Sequence, residues 1–197
     1  MAPRRMTMVA AAALGVATAF VVGGATTASD SPGDIASEAP AQTGVTSIEV
    51  APSGNIKKDV GEPAGLTSVD GEVYFEIRVD DISVATTCSG RGVDAPPEHG
   101  YFVIIELSAR VADYVGEAPP DVFMPLTADA FSLVGADGPL AVATSTDASW
   151  DCFEDDMLAA PFVGVGESTT GLVVLDSPLA AGTLVYAPGG GGWEWEF

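Results

Sequence analysis

The chain is poor in histidine and cysteine, the residue types on which many nucleophilic and zinc sites depend. His99 is the only histidine among 197 residues, and Cys88 and Cys152 are the only cysteines. A serine hydrolase needs a histidine base beside an activated serine and an orienting carboxylate, and the Gly-x-Ser-x-Gly pattern of a nucleophile elbow is absent. A zinc site made of histidines needs several of them, and this chain has a single histidine. We therefore predict no catalytic residue, no cofactor-binding residue and no metal site, and we interpret His99 as a surface loop residue.

The two cysteines predict a disulfide bond. In a secreted chain, an even number of cysteines is most simply explained by disulfide pairing. In the chain-entropy model, closing the loop between Cys88 and Cys152 would stabilise the fold by at most about 4 kcal/mol. A metal site would need more ligands, and a redox pair would need the absent Cys-x-x-Cys motif. If the stretch around Cys152 is extended, Trp150 lies on the same face and packs beside the disulfide, by analogy with other β domains.

Acidic residues dominate the surface chemistry. The chain has 28 acidic and seven basic residues, for a net charge of −21. Such a surface repels phosphate, so we predict no nucleic-acid partner and no binding to anionic lipid. The clusters Asp80–Asp81 and Asp151 with 154–156 lack the loop pattern of a calcium site, and we expect solvated acidic loops rather than cation sites. Because acidic residues are so abundant, their spacing does not indicate a glycosidase.

The composition of the first 66 residues is not typical of a folded domain. Arg4 and Arg5 precede an apolar run and then small residues, the layout of a secretory signal peptide over residues 1–28. The alternative is an uncleaved membrane anchor, because residues 6–28 carry no charge and are long enough to span a bilayer. Residues 29–66 are rich in Ser, Pro, Gly, Ala and acid, which predicts a flexible linker.

Residues 67–197 have the pattern of short β-strands. In 71–84, Val73, Phe75, Ile77 and Val79 alternate with polar residues, which predicts a half-buried strand. The segment 100–113 is apolar on both faces near its start, as in a central strand. Turn signals separate the further strand-like segments, and no long stretch has a helical apolar period. The sequence predicts an all-β sandwich or barrel with strands in the segments 71–84, 100–113, 129–144, 168–178, 182–188 and 193–197.

The chain ends on an aromatic segment that follows four glycines. Trp193, Trp195 and Phe197 alternate with Glu194 and Glu196, so the three aromatic side chains share one face of a short strand. We expect them to cover the core, with both glutamates in water, because large exposed apolar patches are uncommon on monomeric proteins. An exposed adhesive tail is the alternative.

The ordered set of these segments resembles a family. "VGEPAGL", Cys88, "PPEHGYFVIIELSARV", "DAFSLVGADG", Cys152, "GESTTGLVVLDSP", "GTLVYAPG" and "GWEWEF" follow one another as in the telokin-like, immunoglobulin-fold domains of secreted proteins and lipoproteins from actinobacteria and related Gram-positive bacteria. The resemblance runs from roughly Lys58 to Phe197. It implies an immunoglobulin-like antiparallel β-sandwich with one disulfide, and it brings no catalytic residues. A lipid-acceptor cysteine, which many such proteins carry, is missing here.

The prediction of function follows from the secretory pattern of the sequence and from the absence of a recognisable catalytic motif. We predict a secreted or cell-envelope-associated, non-enzymatic binding module for an extracellular protein or ligand, with membrane contact only if residues 1–28 are retained. Two alternatives stay open: an extracellular hydrolase that uses carboxylates, and a structural envelope or halotolerance-related protein, since high charge favours solubility in salt.

Overall fold

A computed structural model describes residues 48–67, 71–88, 90, 96–113, 124–189 and 191–197. The predicted signal peptide and the linker as far as residue 47 lie outside these residues. Within the described ranges, no helix is both long and apolar enough to cross a membrane.

The described ranges contain eleven β-strands, one α-helix of a single turn and two short 3-10 turns at Ala128–Ala130 and Asp155–Met157. The strands and the helix are β1 (Ile56–Lys57), β2 (Pro63–Thr67), β3 (Val73–Ala85), β4 (Tyr101–Val111), β5 (Met124–Pro125), β6 (Phe131–Gly135), β7 (Gly138–Pro139), α1 (Asp147–Trp150), β8 (Phe162–Val163), β9 (Ser168–Ser177), β10 (Thr183–Tyr186) and β11 (Trp193–Glu196).

The strands form two main sheets that share one apolar core. One sheet has the order β1-β11-β10-β6-β7 and the other β2-β3-β4-β9, with β5 and β8 as a separate small pair. Strand β1 runs parallel to β11, and the other strand pairs are antiparallel. Buried side chains from both main sheets meet in a single cluster, including Phe75, Ile105, Leu184 and Trp195. The predicted all-β architecture of two layers is confirmed.

The two longest strands follow the predicted alternation. In β3, Phe75, Ile77 and Val79 are buried toward the core, as the period of two requires. Strand β4 is central, since it pairs with β3 on one side and β9 on the other. Its Val103 faces the core while Phe102 is equally buried on the opposite face. Burial on both faces near the start of β4 is confirmed.

A second, smaller cluster covers the outer face of β4. It consists of Phe102, Val174, Cys88 and Cys152, and the two cysteines form the predicted disulfide with their Cα atoms 5.3 Å apart. The bond therefore fastens the chain around Cys152 over the second face of the β4 sheet.

The folded part begins earlier than the sequence predicts. Strand β1 and most of strand β2 lie inside the segment 29–66, which was predicted to be a flexible linker. Ala64 of β2 is buried against the core and pairs with Ile77, and β1 pairs with β11. Both strands are short, so their own periodicity is weak. Both strands are held in place by backbone pairing with longer strands. This pairing is a long-range effect, so the composition of the segment does not reveal it.

The C-terminal aromatic residues cover the core, as predicted, but one of the two glutamates between them does not face water. Trp193 and Trp195 are buried and Phe197 packs partly against the same cluster. The expectation that both glutamates face water is wrong for Glu194, which is only 8% exposed. Its carboxylate accepts hydrogen bonds from Ser53 Oγ at 2.6 Å and Asn55 Nδ2 at 3.4 Å, because the chain before β1 folds over β11.

The expected packing of Trp150 on the disulfide is also wrong. The stretch is not extended: Trp150 ends the single turn α1, and its side chain is 51% exposed. Phe102 and the partly buried Phe153 contact the disulfide cluster in its place. The N-capping residue Thr146 starts a helical turn here, which changes the direction of the side chains that follow.

Core and surface tryptophans should therefore differ sharply in their effect on stability. Trp195 is 1% exposed and its indole Nε1 has no hydrogen-bond partner in the described part of the chain, so it stabilises by apolar packing. We expect Trp195→Ala to lower the free energy of unfolding by about 3–5 kcal/mol and Trp150→Ala by less than about 1 kcal/mol. Urea denaturation measures both, and equal losses would contradict the assignment of Trp195 to the core.

Candidate functional site

An apolar cleft of about 280 Å³ lies beside α1, at the outer edge of β9. Three segments and one strand enclose it: the chain before β6, α1, the chain before β8, and β9 itself. Its lining consists of Leu126, Thr127, Ala128, Ser149, Trp150, Asp155, Leu158, Ala159, Ala160, Pro161, Leu172, Val173 and Val174. Most of these side chains are apolar, as in ordinary ligand sites.

Local hydrogen bonds hold Trp150 at the rim of this cleft. Thr146 and Ser149 form a reciprocal capping box at the start of α1, with Ser149 N donating to Thr146 Oγ1 at 3.2 Å and Thr146 N donating to Ser149 Oγ at 2.9 Å. Such a box satisfies two backbone donors and stabilises a short helical turn. The indole Nε1 of Trp150 donates to Ser145 Oγ at 3.0 Å. The ring is therefore oriented although half of its surface is exposed.

The opposite wall is tied to both neighbouring elements. Ala159 N donates to the carbonyl of Leu172 at 3.0 Å, and Leu126 N donates to the carbonyl of Pro161 at 2.8 Å. Ala160 N is bonded to Thr169 Oγ1 at 2.9 Å. These contacts join the segment before β8 to β9 and to the chain before β6. The walls of the cleft are thus fixed by the fold before any ligand arrives, which lowers the entropic cost of binding.

A buried carboxylate fastens the N-terminal side of α1. Asp176, on the outer face of β9, is fully buried and accepts three hydrogen bonds, from Glu98 N at 2.6 Å, His99 N at 2.9 Å and Thr146 Oγ1 at 2.9 Å. Charge-assisted bonds of this kind are stronger than neutral ones. Asp176 therefore links the loop before β4, the strand β9 and the helix cap that positions Trp150.

His99, in the loop before β4, lies beside this carboxylate. Its Nδ1 is 3.4 Å from Asp176 Oδ1, and that buried nitrogen has no hydrogen-bond partner among the described residues. Within the same ranges the hydroxyl bonded to the pair belongs to Thr146, and it donates to Asp176 rather than to His99. A histidine base must contact the nucleophile that it activates. Among the described residues, no nucleophile is bonded to His99 Nδ1.

The two predicted acidic clusters lie in different places: Asp80 is in β3, whereas Asp155 of the second cluster lines the cleft. Asp80 pairs with Arg78 and accepts a hydrogen bond from Ser108 at 3.2 Å. Residues 154–156 belong to an exposed turn between α1 and β8. Across the part of the chain that the structure describes, no three His, Cys, Asp or Glu residues gather in a way that could hold a metal ion.

A second groove, of about 470 Å³, lies near β1 and is mostly charged. Lys57 and Lys58 face Glu49, Glu62, Glu194 and Glu196 there. Lys57 Nζ is 3.1 Å from Glu49 Oε1, and this hydrogen bond and charge raise the pKa of Lys57. Acidic residues outnumber the two lysines in this groove, and it lacks the mainly apolar lining that favours ligand binding.

Comparisons with known proteins found no match: no protein-family model, no curated protein and no solved structure corresponds to this chain. The cleft must therefore be interpreted from its own geometry.

Sequence reasoning identified some of these residues and missed others. The disulfide pair and the aromatic residues were singled out, and the structure places Trp150 in the cleft but Trp193, Trp195 and Phe197 in and around the core. Asp176 was missed because nothing in "VVLDSP" distinguishes it from a surface acid. Its position in the strand offered one signal: it falls on the same face as Val174, two residues before it.

The role of Asp176 predicts a specific loss of stability. Replacing it by Asn removes the charge and turns an amide NH2 toward donors that it cannot satisfy, so Asp176→Asn should lower the free energy of unfolding by about 2–3 kcal/mol. Asp137→Asn, in the exposed turn between β6 and β7, should change it by less than about 0.5 kcal/mol. Urea denaturation of both variants checks this. Similar values for the two would mean that Asp176 does not anchor the loop and α1.

Proposed function

We propose that this protein is a non-enzymatic binding module whose ligand places an apolar group in the cleft beside Trp150. The observation that carries the proposal is the preformed cleft itself: an apolar concavity with a half-exposed, hydrogen-bonded indole at its rim. Tryptophan is the residue type most often found as an energetic anchor in binding surfaces. An oriented ring loses little conformational freedom on binding, so more of the contact energy becomes affinity.

The proposed location is outside the cytoplasm. The Cys88–Cys152 bond indicates an oxidising environment, and the N-terminal pattern of a secretory signal favours export to the medium or the cell envelope. In that setting the partner is an extracellular protein or ligand.

Membership of the telokin-like, immunoglobulin-fold family is a further proposal. Two facing, mainly antiparallel sheets and one disulfide support it. The sheet order β2-β3-β4-β9 weighs against it, because it places three consecutive strands side by side, whereas the sheets of a constant-type immunoglobulin domain contain the strands ABED and CFG.

Binding in the cleft can be tested with small neutral probes. N-acetyl-leucinamide and N-acetyl-tryptophanamide carry an apolar group and an amide but no charge. We expect saturable NMR shifts at the Trp150 indole, Leu158 and Val174, and about a tenfold loss of affinity in Trp150→Ala because the ring provides the contact surface.

Phe162→Ala is the matched control. Phe162 is as exposed as Trp150, at 51%, but does not line the cleft. It should leave probe affinity within about twofold. Shifts that never saturate, or equal losses in the two variants, would contradict a binding site at Trp150.

A further inference from the structure

Residues 48–50 form an outer edge of the sheet that contains β1. Val50 lies antiparallel to Ile56 of β1, and the turn 51–55 joins the two segments. On its other side, β1 pairs with β11. The segment 48–50 therefore continues the sheet beyond β1 by one further extended piece of chain.

The backbone N–H and C=O of Val50 point away from β1. Val50 and Ile56 are opposite each other, and the hydrogen bonds of the pair are formed by the residues on either side. In such a non-hydrogen-bonded pair, each residue directs its own N–H and C=O away from the other. Ile56 N accordingly donates to the Gly192 carbonyl at 2.9 Å, on the far side of β1. The flanking bonds are Lys57 N to the Glu49 carbonyl at 2.9 Å and Ala51 N to the Asn55 carbonyl at 2.8 Å.

These two outward groups are accessible. Among the described residues, none forms a hydrogen bond with the N–H or C=O of Val50. Val50 is 60% exposed, and Ile48 is 72% exposed. Neither lysine nor proline occurs in residues 48–50, although these residue types commonly protect an exposed edge from pairing. The edge is therefore open to a further strand.

The turn beside this edge is anchored to the sheet. Ala51 is buried, and Ser53 Oγ donates to the buried carboxylate of Glu194 at 2.6 Å. The ion pair of Lys57 Nζ with Glu49 Oε1, at 3.1 Å, joins the segment to β1. The edge is thus formed before a partner arrives, which reduces the entropy lost on binding.

The charge beside the edge favours a cationic partner. The charged groove near β1 adjoins the edge, because Ile48 and Glu49 are part of its lining. Five acidic residues and two lysines line this groove, which gives it a formal charge of −3. A second copy of this chain, with a net charge of −21, would be repelled. An extended segment that carries Lys or Arg would be attracted, and its approach would be accelerated.

Strand geometry determines which residue types such a segment needs. Side chains alternate between the two faces of a strand, and residues opposite each other in paired strands share a face. A residue opposite Glu49 therefore lies on the face of that carboxylate, and its neighbours lie on the face of Ile48 and Val50. Basic residues that alternate with apolar ones satisfy both faces.

We propose that residues 48–50 bind an extended segment of a partner protein, in which basic and apolar residues alternate, as an additional strand of the sheet. In this mode of recognition, main-chain hydrogen bonds provide affinity and the alternating side chains provide specificity. Residues 48–50 do not line the cleft at Trp150. The edge is therefore a second interaction surface, beyond the proposed function.

The test uses the oxidised, folded protein and the capped peptide Lys-Val-Lys-Val-Lys, with binding measured by calorimetry. We expect saturable binding at least about tenfold tighter than that of Glu-Val-Glu-Val-Glu, because the groove is acidic. Raising the salt concentration from about 20 mM to about 500 mM should reduce this preference severalfold.

A proline substitution tests the backbone contact. Val50→Pro removes the outward N–H without breaking a hydrogen bond to any described residue, and proline is tolerated at such edge positions. It should weaken binding of the Lys-containing peptide at least about tenfold. The matched control is Val142→Pro, at an exposed residue just after β7, which is at the opposite edge of the same sheet. It should leave the affinity within about twofold.

Peptide N-methylation provides the same test on the unaltered protein. Alternate N–H groups of an extended peptide point to the same side. N-methyl groups should therefore weaken binding about tenfold at the positions that face the edge and less than about threefold at the positions between them.

Charge-neutralising variants test the role of the groove. Glu49→Gln, Asp59→Asn and Glu62→Gln together should weaken binding at least about fivefold at low salt. The control Glu106→Gln, Asp129→Asn and Asp137→Asn makes the same change in net charge at residues that do not line the groove. It should weaken binding less than about twofold.

The outcomes separate this inference from the proposed function. Absence of saturable binding, equal binding of the Glu-containing peptide, or tolerance of Val50→Pro or of N-methyl groups at every position would overturn the inference. So would a dimer of the free protein that Val50→Pro dissociates in analytical ultracentrifugation, because the edge would then bind a second copy. In each case the proposed function would stand if N-acetyl-leucinamide still required Trp150. Conversely, Trp150→Ala should leave binding of the Lys-containing peptide within about twofold.

Discussion

Burial of β4 on both faces is the constraint on which the rest of this structure depends. One face of the strand belongs to the main core, and the other is closed by the cluster of Phe102, Val174 and the disulfide. A sheet can leave one face in water, but Phe102 cannot be left there without a large loss of apolar burial. The chain between β7 and β9 must therefore cross the outer face of the sheet, and the cleft lies where this covering segment meets the edge of β9.

Two fastenings of different chemistry hold that covering segment. The Cys88–Cys152 bond limits its freedom covalently, and Asp176 accepts a hydrogen bond from Thr146 at the start of α1. Since Thr146 also caps the turn that ends at Trp150, the position of the indole is linked to a fully buried carboxylate in β9. The same sheet thus supplies the support for the rim of the cleft and, through Val174, part of its floor. This sharing explains how a small concavity can be rigid near exposed loops.

The sequence predicted the elements that show a repeating apolar pattern. It did not predict the features that depend on a single tertiary contact. Alternation in β3 and the apolar start of β4 predicted both strands and their burial, because the period of two is a direct consequence of strand geometry. The pairing of β1 with β11 was missed because the two strands lie more than a hundred residues apart in the chain. The pairing of β2 with β3 was missed because β2 is too short to show a period. Trp150 was noticed but misplaced, because a capped helical turn replaced the expected extended stretch. Asp176 and Glu194 were missed because acidic residues are abundant and only tertiary contacts bury these two.

The central claim is that the disulfide and Asp176 hold a preformed cover over the outer face of β4. Hydrogen–deuterium exchange of the protein before and after reduction with a phosphine tests it most directly. The account predicts that reduction increases exchange in residues 144–161 and at the Asp176 amide, while the amides that join β3 and β4 stay protected. Unchanged exchange in residues 144–161, or an equal increase throughout both sheets, would contradict it.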